Sequence, residues 1–246
     1  DRLLGQIEFK NLSFSYNQEE PVLRNVSFSV VAGEKLAIVG PTGSGKSTLI
    51  RLLGRFYDFC DGSIFLDGID LNQILSNELR RRVGVVLQDF HVFSGSIYEN
   101  ISLGNPLVTK KKAQEAAQIT NAHDFITRLP QGYDTVMLER GANLSHGQRQ
   151  LLSFARVLAA DPEVLVLDEA TASVDTETEL LIEKGLEKLI ENRTAIIIAH
   201  RLQTVRKSDR ILVLNEGKVE EFGAEKELLS NKGLYYKLHQ LQFQDK

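Results

Sequence analysis

The chain lacks several things that would assign it elsewhere. It has one cysteine, Cys60, among 246 residues, so no internal disulfide can form and a reducing compartment is expected. No apolar run approaches the roughly 18 residues of a membrane-crossing helix. The opening Asp1-Arg2-Leu3-Leu4 is not the apolar core of a signal peptide. An initiating methionine is missing too, which fits a processed chain or a piece cut from a longer one. Positive charge is not in excess: 29 Lys and Arg stand against 33 Asp and Glu, for a formal net charge of −4. That balance argues against a nucleic-acid surface. Internal repeats, low-complexity tracts and an obvious interdomain linker are absent as well. What is present is ordinary for a globular protein, with 42% hydrophobic and 25% charged residues. The length suits one large domain, or a main domain carrying a subdomain.

Two basic runs stand out against that background. Arg80-Arg81-Arg82 ends a predicted helix over 77–82, where cations suit the negative end of the helix dipole. Lys110-Lys111-Lys112 follows Thr109, an N-cap residue, so three cations oppose the dipole there. Both runs read as solvated faces.

The most informative stretch is Gly40-Pro41-Thr42-Gly43-Ser44-Gly45-Lys46-Ser47-Thr48, between the apolar runs Leu36-Ala37-Ile38-Val39 and Leu49-Ile50-Arg51-Leu52-Leu53. That order predicts strand, glycine-rich turn and helix. Gly40, Gly45, Lys46 and Ser47 complete the pattern G-x-x-x-x-G-K-[ST]. Glycine lets the backbone curl until successive N–H groups point inward. Those groups and the positive end of the following helix form a polyphosphate site. Lys46 is placed to reach the β- and γ-phosphates, and the Ser47 hydroxyl to ligate Mg²⁺.

Around this loop the chain reads as α/β. Residues 7–14 and 26–30 alternate with period two and predict antiparallel, half-buried strands, with residues 21–25 as a break between them. Asp61-Gly62 and Asp67-Gly68 read as turns around a strand over 63–66. Residues 83–87, 164–167 and 194–199 are continuously apolar and predict buried parallel strands. Between 96 and 160 the rhythm is helical, with helices expected at 96–101, 109–120, 122–128 and 149–160 and little strand signal. This stretch reads as a helical subdomain inserted in the main sheet. A further amphipathic helix is predicted over 176–190, strands over 210–214 and 218–221, and short helices at the end.

Polar residues cluster where the apolar strands stop. Gln88 follows the first, Asp168-Glu169 the second and His200 the third. In open parallel sheets, ligands lie beyond the carboxyl ends of the strands. Two carboxylates directly after a buried strand are costly unless they meet a cation. With an intact phosphate loop, Asp168 reads as a Mg²⁺ holder and Glu169 as the acid that acts on the attacking water. His200 reads as functional or as a strand-end histidine satisfied locally. Tyr16, at the end of the first strand, is equally suited to edge packing and to stacking on an adenine.

Leu144-Ser145-His146-Gly147-Gln148 opens the long helix, and a serine and a glycine at a helix start make a second anion site. With this element the whole chain resembles the nucleotide-binding domain of ATP-binding cassette (ABC) transporters. The resemblance implies a P-loop NTPase core with a mostly parallel sheet, a RecA-like core over about 1–88 and 162–246. It also implies an N-terminal antiparallel β subdomain and a helical subdomain over about 89–161. It makes Tyr16 the adenine-stacking aromatic and Gly40 to Thr48 the Walker A loop, with Thr42, Gly43, Ser44, Gly45, Lys46, Ser47 and Thr48 around the nucleotide. Gln88 becomes the Q-loop glutamine that senses Mg²⁺ and water, and Asp168 the Walker B aspartate. Glu169 becomes the catalytic glutamate and His200 the switch histidine. Ser145, Gly147 and Gln148 fall in the signature and Asp175 in the D-loop.

Residues 93–101 and 139–141 resemble exporter cassettes, in which they touch the coupling helices of a transmembrane domain. The resemblance therefore implies an Mg²⁺-dependent ATPase on the cytoplasmic face of a membrane. Two such domains would pack head to tail, each Walker A loop facing the other's signature. His146 replaces the first glycine of the usual Leu-Ser-Gly-Gly-Gln, a departure that suits a heterodimer with one impaired site slightly better than a homodimer. The other readings are a soluble cassette ATPase acting on nucleic acid or ribosomes and a nucleotide-gated module without hydrolysis. Neither a coiled coil between the Walker motifs nor a second cassette is present, and Glu169 is intact.

Overall fold

Two hydrophobic rhythms divide the elements. The computed structural model describes residues 4–17, 20–59, 61–87, 91–138, 141–168, 176–199 and 202–243. The first elements are β1 (Ile7–Phe14), β2 (Leu23–Val30), β3 (Lys35–Val39), α1 (Lys46–Leu53), β4 (Asp61–Leu66), β5 (Ile69–Asp70), α2 (Ser76–Arg82) and β6 (Val83–Val86). Next come β7 (Gly95–Ser96), α3 (Ile97–Ser102), α4 (Lys110–Ile119), α5 (His123–Thr127), β8 (Val136–Met137) and α6 (His146–Ala160). The last are β9 (Val164–Asp168), α7 (Thr176–Ile190), β10 (Thr194–Ile198), α8 (Leu202–Arg206), β11 (Arg210–Asn215), β12 (Lys218–Gly223), α9 (Glu225–Asn231) and α10 (Leu234–Phe243). Among the described residues no helix is long and apolar enough to cross a membrane.

The chain forms two compact units. The first comprises Asp1–Val83, Glu163–Glu169 and Asn192–Lys246, the second Gly84–Pro162 and Ala170–Glu191. In the first unit, β3, β9, β10 and β11 are parallel and stand in the order β11–β3–β10–β9, with β12 antiparallel on the outer edge of β11. Their near-continuous apolar sequences follow from burial on both faces. Leu36, Ile38, Val166, Ile196 and Ile197 are all fully buried. Parallel pairing with this register places the ends of β3, β9 and β10 at one edge of the sheet, next to the loop that opens α1.

The first unit also holds the antiparallel sheet β2–β1–β4–β5. Its alternating pattern puts Ile7, Phe9 and Leu12 inside, and the rings of Phe9 and Phe28 stack at 4.4 Å across β1 and β2. Two expectations are corrected here. Asp61-Gly62 is not a turn but the start of β4, paired to β1 through a register shift between Lys10 and Ser13. Gly62 has φ +88°, and a Cβ there would sit 2.5 Å from the Asn11 carbonyl oxygen. The glycine marks a bulge and a close backbone approach, which a turn-type dipeptide mimics in sequence. Likewise Leu23-Arg24-Asn25 belongs to β2 rather than to a break. Asn25 adopts φ 53° and its N–H donates to Ser13 Oγ at 3.0 Å, so the strand passes through an irregular register instead of ending.

The second unit is helical. α6 packs on α3, α4 and α7, burying Leu151, Leu152, Phe154 and Ala155. α4 offers the small face Ala113, Ala116 and Ala117. One pairing escapes the helical rhythm: β7 and β8, two residues each, form an antiparallel ladder. The lysine run at the start of α4 has local partners. Lys110 pairs with Asp134 at 2.9 Å and lies over the Tyr98 ring, and Lys111 faces Glu115 at 3.8 Å. Thr109 caps the helix, its side chain accepting from the Lys112 N–H.

Candidate functional site

The phosphate loop is shaped by backbone geometry before any side chain acts. Gly40 has φ +154°, and a Cβ there would collide with the Leu214 carbonyl oxygen. Gly45, the N-cap of α1, has φ +101°, and its Cβ would lie 2.8 Å from Leu23 Cδ2. Both positions combine a left-handed or extended-positive φ with a close neighbour, so only glycine fits. Between them the Ser44 N–H donates to the Pro41 carbonyl at 3.2 Å and closes the turn. Thr42 and Gly43 lie exposed at its tip, while Ser44 and Thr48 are buried.

Lys46 is folded back into this loop. Its Nζ donates to the carbonyls of Gly40 and Pro41, both at 2.8 Å, and approaches Ser44 Oγ at 3.5 Å. Burial lowers its pKa below that of a free lysine, and the Asp168 carboxylate partly opposes the shift. The ammonium is thus desolvated but held by neutral oxygens, an arrangement in which an incoming polyanion gains a strong partner.

Asp168 ends β9, and its Oδ2 accepts from Ser47 Oγ at 3.3 Å. The Ser47 hydroxyl is exposed in the first turn of α1. A hydroxyl and a carboxylate side by side form a hard oxygen pair suited to Mg²⁺, which is held by one or two protein oxygens plus phosphate and water. Tyr16 meets the same helix: its hydroxyl is 3.0 Å from Thr48 Oγ1. The Tyr16 ring is flanked by Phe14 and Tyr57, each at 5.0 Å and near-perpendicular. Beside it opens a cleft of about 670 Å³, lined in part by Phe14, Asn17, Asp58, Phe59 and Asp61, a volume within the range of small-ligand sites.

In the second unit, Ser145 is the N-cap of α6 in a reciprocal capping box. Its Oγ accepts from the Gln148 N–H at 3.2 Å, and Gln148 Oε1 accepts from the Ser145 N–H at 3.0 Å. The hydroxyl keeps its own proton to donate outward. Ser145 is exposed, Gly147 is buried and the His146 ring is half-buried. Gln88, Glu169, Asp175 and His200 lie outside the described residues, as do Glu139 and Arg140 of the segment before the signature.

Two groups, one in each unit, carry no signal in the sequence. Arg156 on α6 donates to the Asn100 carbonyl at 2.8 Å, to Asn100 Oδ1 at 3.3 Å and to the His91 carbonyl at 2.9 Å, and it lies over the Phe93 ring. Burial pushes its pKa down to about 10. Asn100, 1% exposed, completes the clamp by donating to the carbonyls of Phe93 and Ser96. Tyr57 is the other, an aromatic after the last turn of α1. Neither belongs to a sequence pattern; both gain their meaning from tertiary proximity.

Residues 23–172 match the family model described as ABC transporter. The chain is 47% identical over 99% of its length to an ATP-dependent lipid A-core flippase of Syntrophus aciditrophicus, covering 40% of that protein. It is 45% identical over 98% of its length to a probable multidrug resistance ABC transporter ATP-binding/permease protein of Bacillus subtilis, covering 36% of it. The chain thus spans about two fifths of the length of these curated relatives. Among solved structures, a bacterial Atm1-family ABC exporter with ATP bound superposes with a TM-score of 0.90 at 42% identity, over 97% of this chain and 42% of that one. The phosphate loop on α1, the aspartate ending β9 and the serine-capped α6 are thus found in a chain that belongs to the ABC transporter family and carries its nucleotide-binding ATPase domain.

Proposed function

We propose that this domain is the ATP-driven motor of an exporter, acting as one of a head-to-tail pair at the cytoplasmic face of a membrane. The observation that carries the reading is the Lys46 ammonium, held by the carbonyls of Gly40 and Pro41 inside a glycine-shaped loop at the start of α1, an arrangement suited to a polyphosphate. ATP enters with its phosphates against the loop N–H groups. Lys46 exchanges neutral oxygens for charged ones, which favours the bound state. Ser47 and Asp168, whose oxygens lie 3.3 Å apart, would hold Mg²⁺, and the ion would supply neutralisation of phosphate charge.

Glu169 takes a proton from the attacking water as its oxygen bonds to the γ-phosphorus and the bond to the β–γ bridging oxygen breaks. ADP and phosphate are the products. Gln88 orients that water, and His200 and Lys46 face the charge on the transferring group. Tyr16 stacks on the adenine. Ser145, Gly147 and Gln148 of the second domain cap the γ-phosphate, with Asp175 beside them, so ATP joins the two domains and hydrolysis releases them. Residues 93–101 and 139–141 pass the motion to a transmembrane domain. The similar proteins named a flippase and an ATP-binding/permease protein support ATP-driven transport, and the similar structure of an ABC exporter supports its outward direction.

The test is the mass of the Glu169→Gln variant by light scattering. With ATP and Mg²⁺ it should double, and with ADP it should not. A variant that stays monomeric with ATP at high protein concentration contradicts the shared-site mechanism.

A further inference from the structure

Tyr16 is held by three contacts, one from the first turn of α1 and one from the segment that follows its last turn. Its hydroxyl meets Thr48 Oγ1 at 3.0 Å in the first turn of α1. Its ring meets Tyr57 at 5.0 Å and 82°, just beyond the last turn. The third contact, Phe14, stands at 5.0 Å and 87°. Phe14 and Tyr57 are themselves only 6.1 Å apart, so seen from Tyr16 they lie less than a right angle from each other. Both neighbours therefore lie in the same half of the space around the Tyr16 ring centroid. The remaining 42% of that residue's surface is open to solvent.

Tyr57 is itself fixed by the way α1 ends. Arg55 takes a left-handed φ of 50° after Gly54, and the Phe56 N–H donates to the Arg51 carbonyl at 2.9 Å. The Arg55 guanidinium donates to the carbonyls of Leu71 at 3.2 Å and Ile74 at 2.6 Å. The segment leading into Tyr57 is thus anchored at Arg55 and Phe56, although 41% of Tyr57 is exposed. An aromatic left that exposed contributes little core burial, whereas an edge-to-face pair restricts the plane of its neighbour.

We propose that Tyr57 is a positioning residue of the nucleotide site, setting the plane of Tyr16 so that the base platform is aligned by the same helix that carries the phosphate loop. The role rests on the proposed stacking of Tyr16 on adenine. It makes base affinity and phosphate affinity separable: the aromatic corner acts on the base, and the loop acts on the phosphates.

The experiment compares the affinity of the chain for ADP with that for pyrophosphate, both with Mg²⁺, by calorimetry. Tyr57→Ala is expected to weaken ADP about three- to tenfold, the range of one lost edge-to-face contact, and to leave pyrophosphate unchanged. Tyr57→Phe, which keeps the ring, should restore wild-type ADP binding. Equal loss of ADP and pyrophosphate in Tyr57→Ala would show that the substitution damages the loop itself and would overturn the positioning role. So would an unchanged ADP affinity in Tyr57→Ala while Tyr16→Ala loses it. Unchanged ADP affinity in Tyr16→Ala overturns the stacking reading beneath it, and the positioning role with it.

Discussion

Ser47 Oγ stands 3.3 Å from Asp168 Oδ2, joining the first turn of α1 to the carboxyl end of β9. The two residues lie on elements that are not neighbours in sequence, and the sheet brings them together because β10 separates β9 from β3 by a single strand. If this pair holds Mg²⁺, Asp168→Asn should abolish most of the Mg²⁺-dependent gain in ADP affinity. A contact to a charged group is worth about 1.5–3 kcal/mol, so the expected loss is roughly ten- to hundredfold. Calorimetry with Mg²⁺ and with a chelator checks it; binding without Mg²⁺ should be nearly unaffected.

Lys46 gives a pH dependence with a definite sign. Burial depresses its pKa in the folded, ligand-free chain below 10.5. Approaching that value from below, the unfolded chain therefore holds more protons at this residue than the folded one. The residue's contribution to ligand-free stability rises with pH there. Phosphate binding prefers the cation, so ADP affinity should fall as pH rises through the alkaline range, earlier than an ordinary lysine would dictate. Lys46→Arg, protonated throughout, should bind more weakly but with a flat profile. Affinity measured at intervals from neutral to alkaline pH distinguishes the two curves.

Arg156 should be a stability residue of the second unit. Arg156→Met leaves the carbonyls of Asn100 and His91 and the Asn100 Oδ1 without this donor. The expected cost is about 1–3 kcal/mol for each acceptor left buried and unsatisfied, less where water can enter. Arg156→Lys, with a point charge and no planar fork, should fall between. Urea denaturation monitors both.

Gly185, inside α7, should defy helix propensity. Ala is ordinarily about 1 kcal/mol better than Gly in a helix interior. Here its Cβ would lie 2.9 Å from the Thr120 carbonyl oxygen and 3.4 Å from the Phe154 ring. A backbone atom cannot step aside as a flexible side chain would, and overpacking typically costs about 1–3 kcal/mol. Gly185→Ala is therefore expected to lower the denaturation midpoint. A raised midpoint would show that α7 can move outward freely.

What was legible in the sequence was what has a strong local cause. Leu36 to Val39, Val164 to Leu167 and Ala195 to Ile198 are plain in the sequence because strands buried on both faces run near-continuously apolar. α7 was expected over the residues it occupies, and α4 between its caps Thr109 and Thr120. The Ser145/Gln148 box starts α6 at His146, three residues before the expected Arg149, because the capping pair reaches back over the first turn. Other features have no local cause. β7 and β8 are too short for any period to show. Gly62 looks like a turn residue but serves a bulge pressed on Asn11. The corner of Tyr16 and Tyr57, and the grip of Arg156 on Asn100, exist only once distant segments meet.

The most direct measurement is ATP hydrolysis by a mixture of two inactive variants. Lys46→Ala damages the loop but keeps the Ser145 cap; Ser145→Arg damages the cap but keeps the loop. If each nucleotide is gripped by the loop of one chain and the cap of another, mixing restores one whole site in every mixed pair. With random pairing into two-fold dimers, activity should return to about a quarter of the wild-type value. Mixtures that stay as inactive as the separate variants, while both still bind one another with ATP, would contradict the shared site.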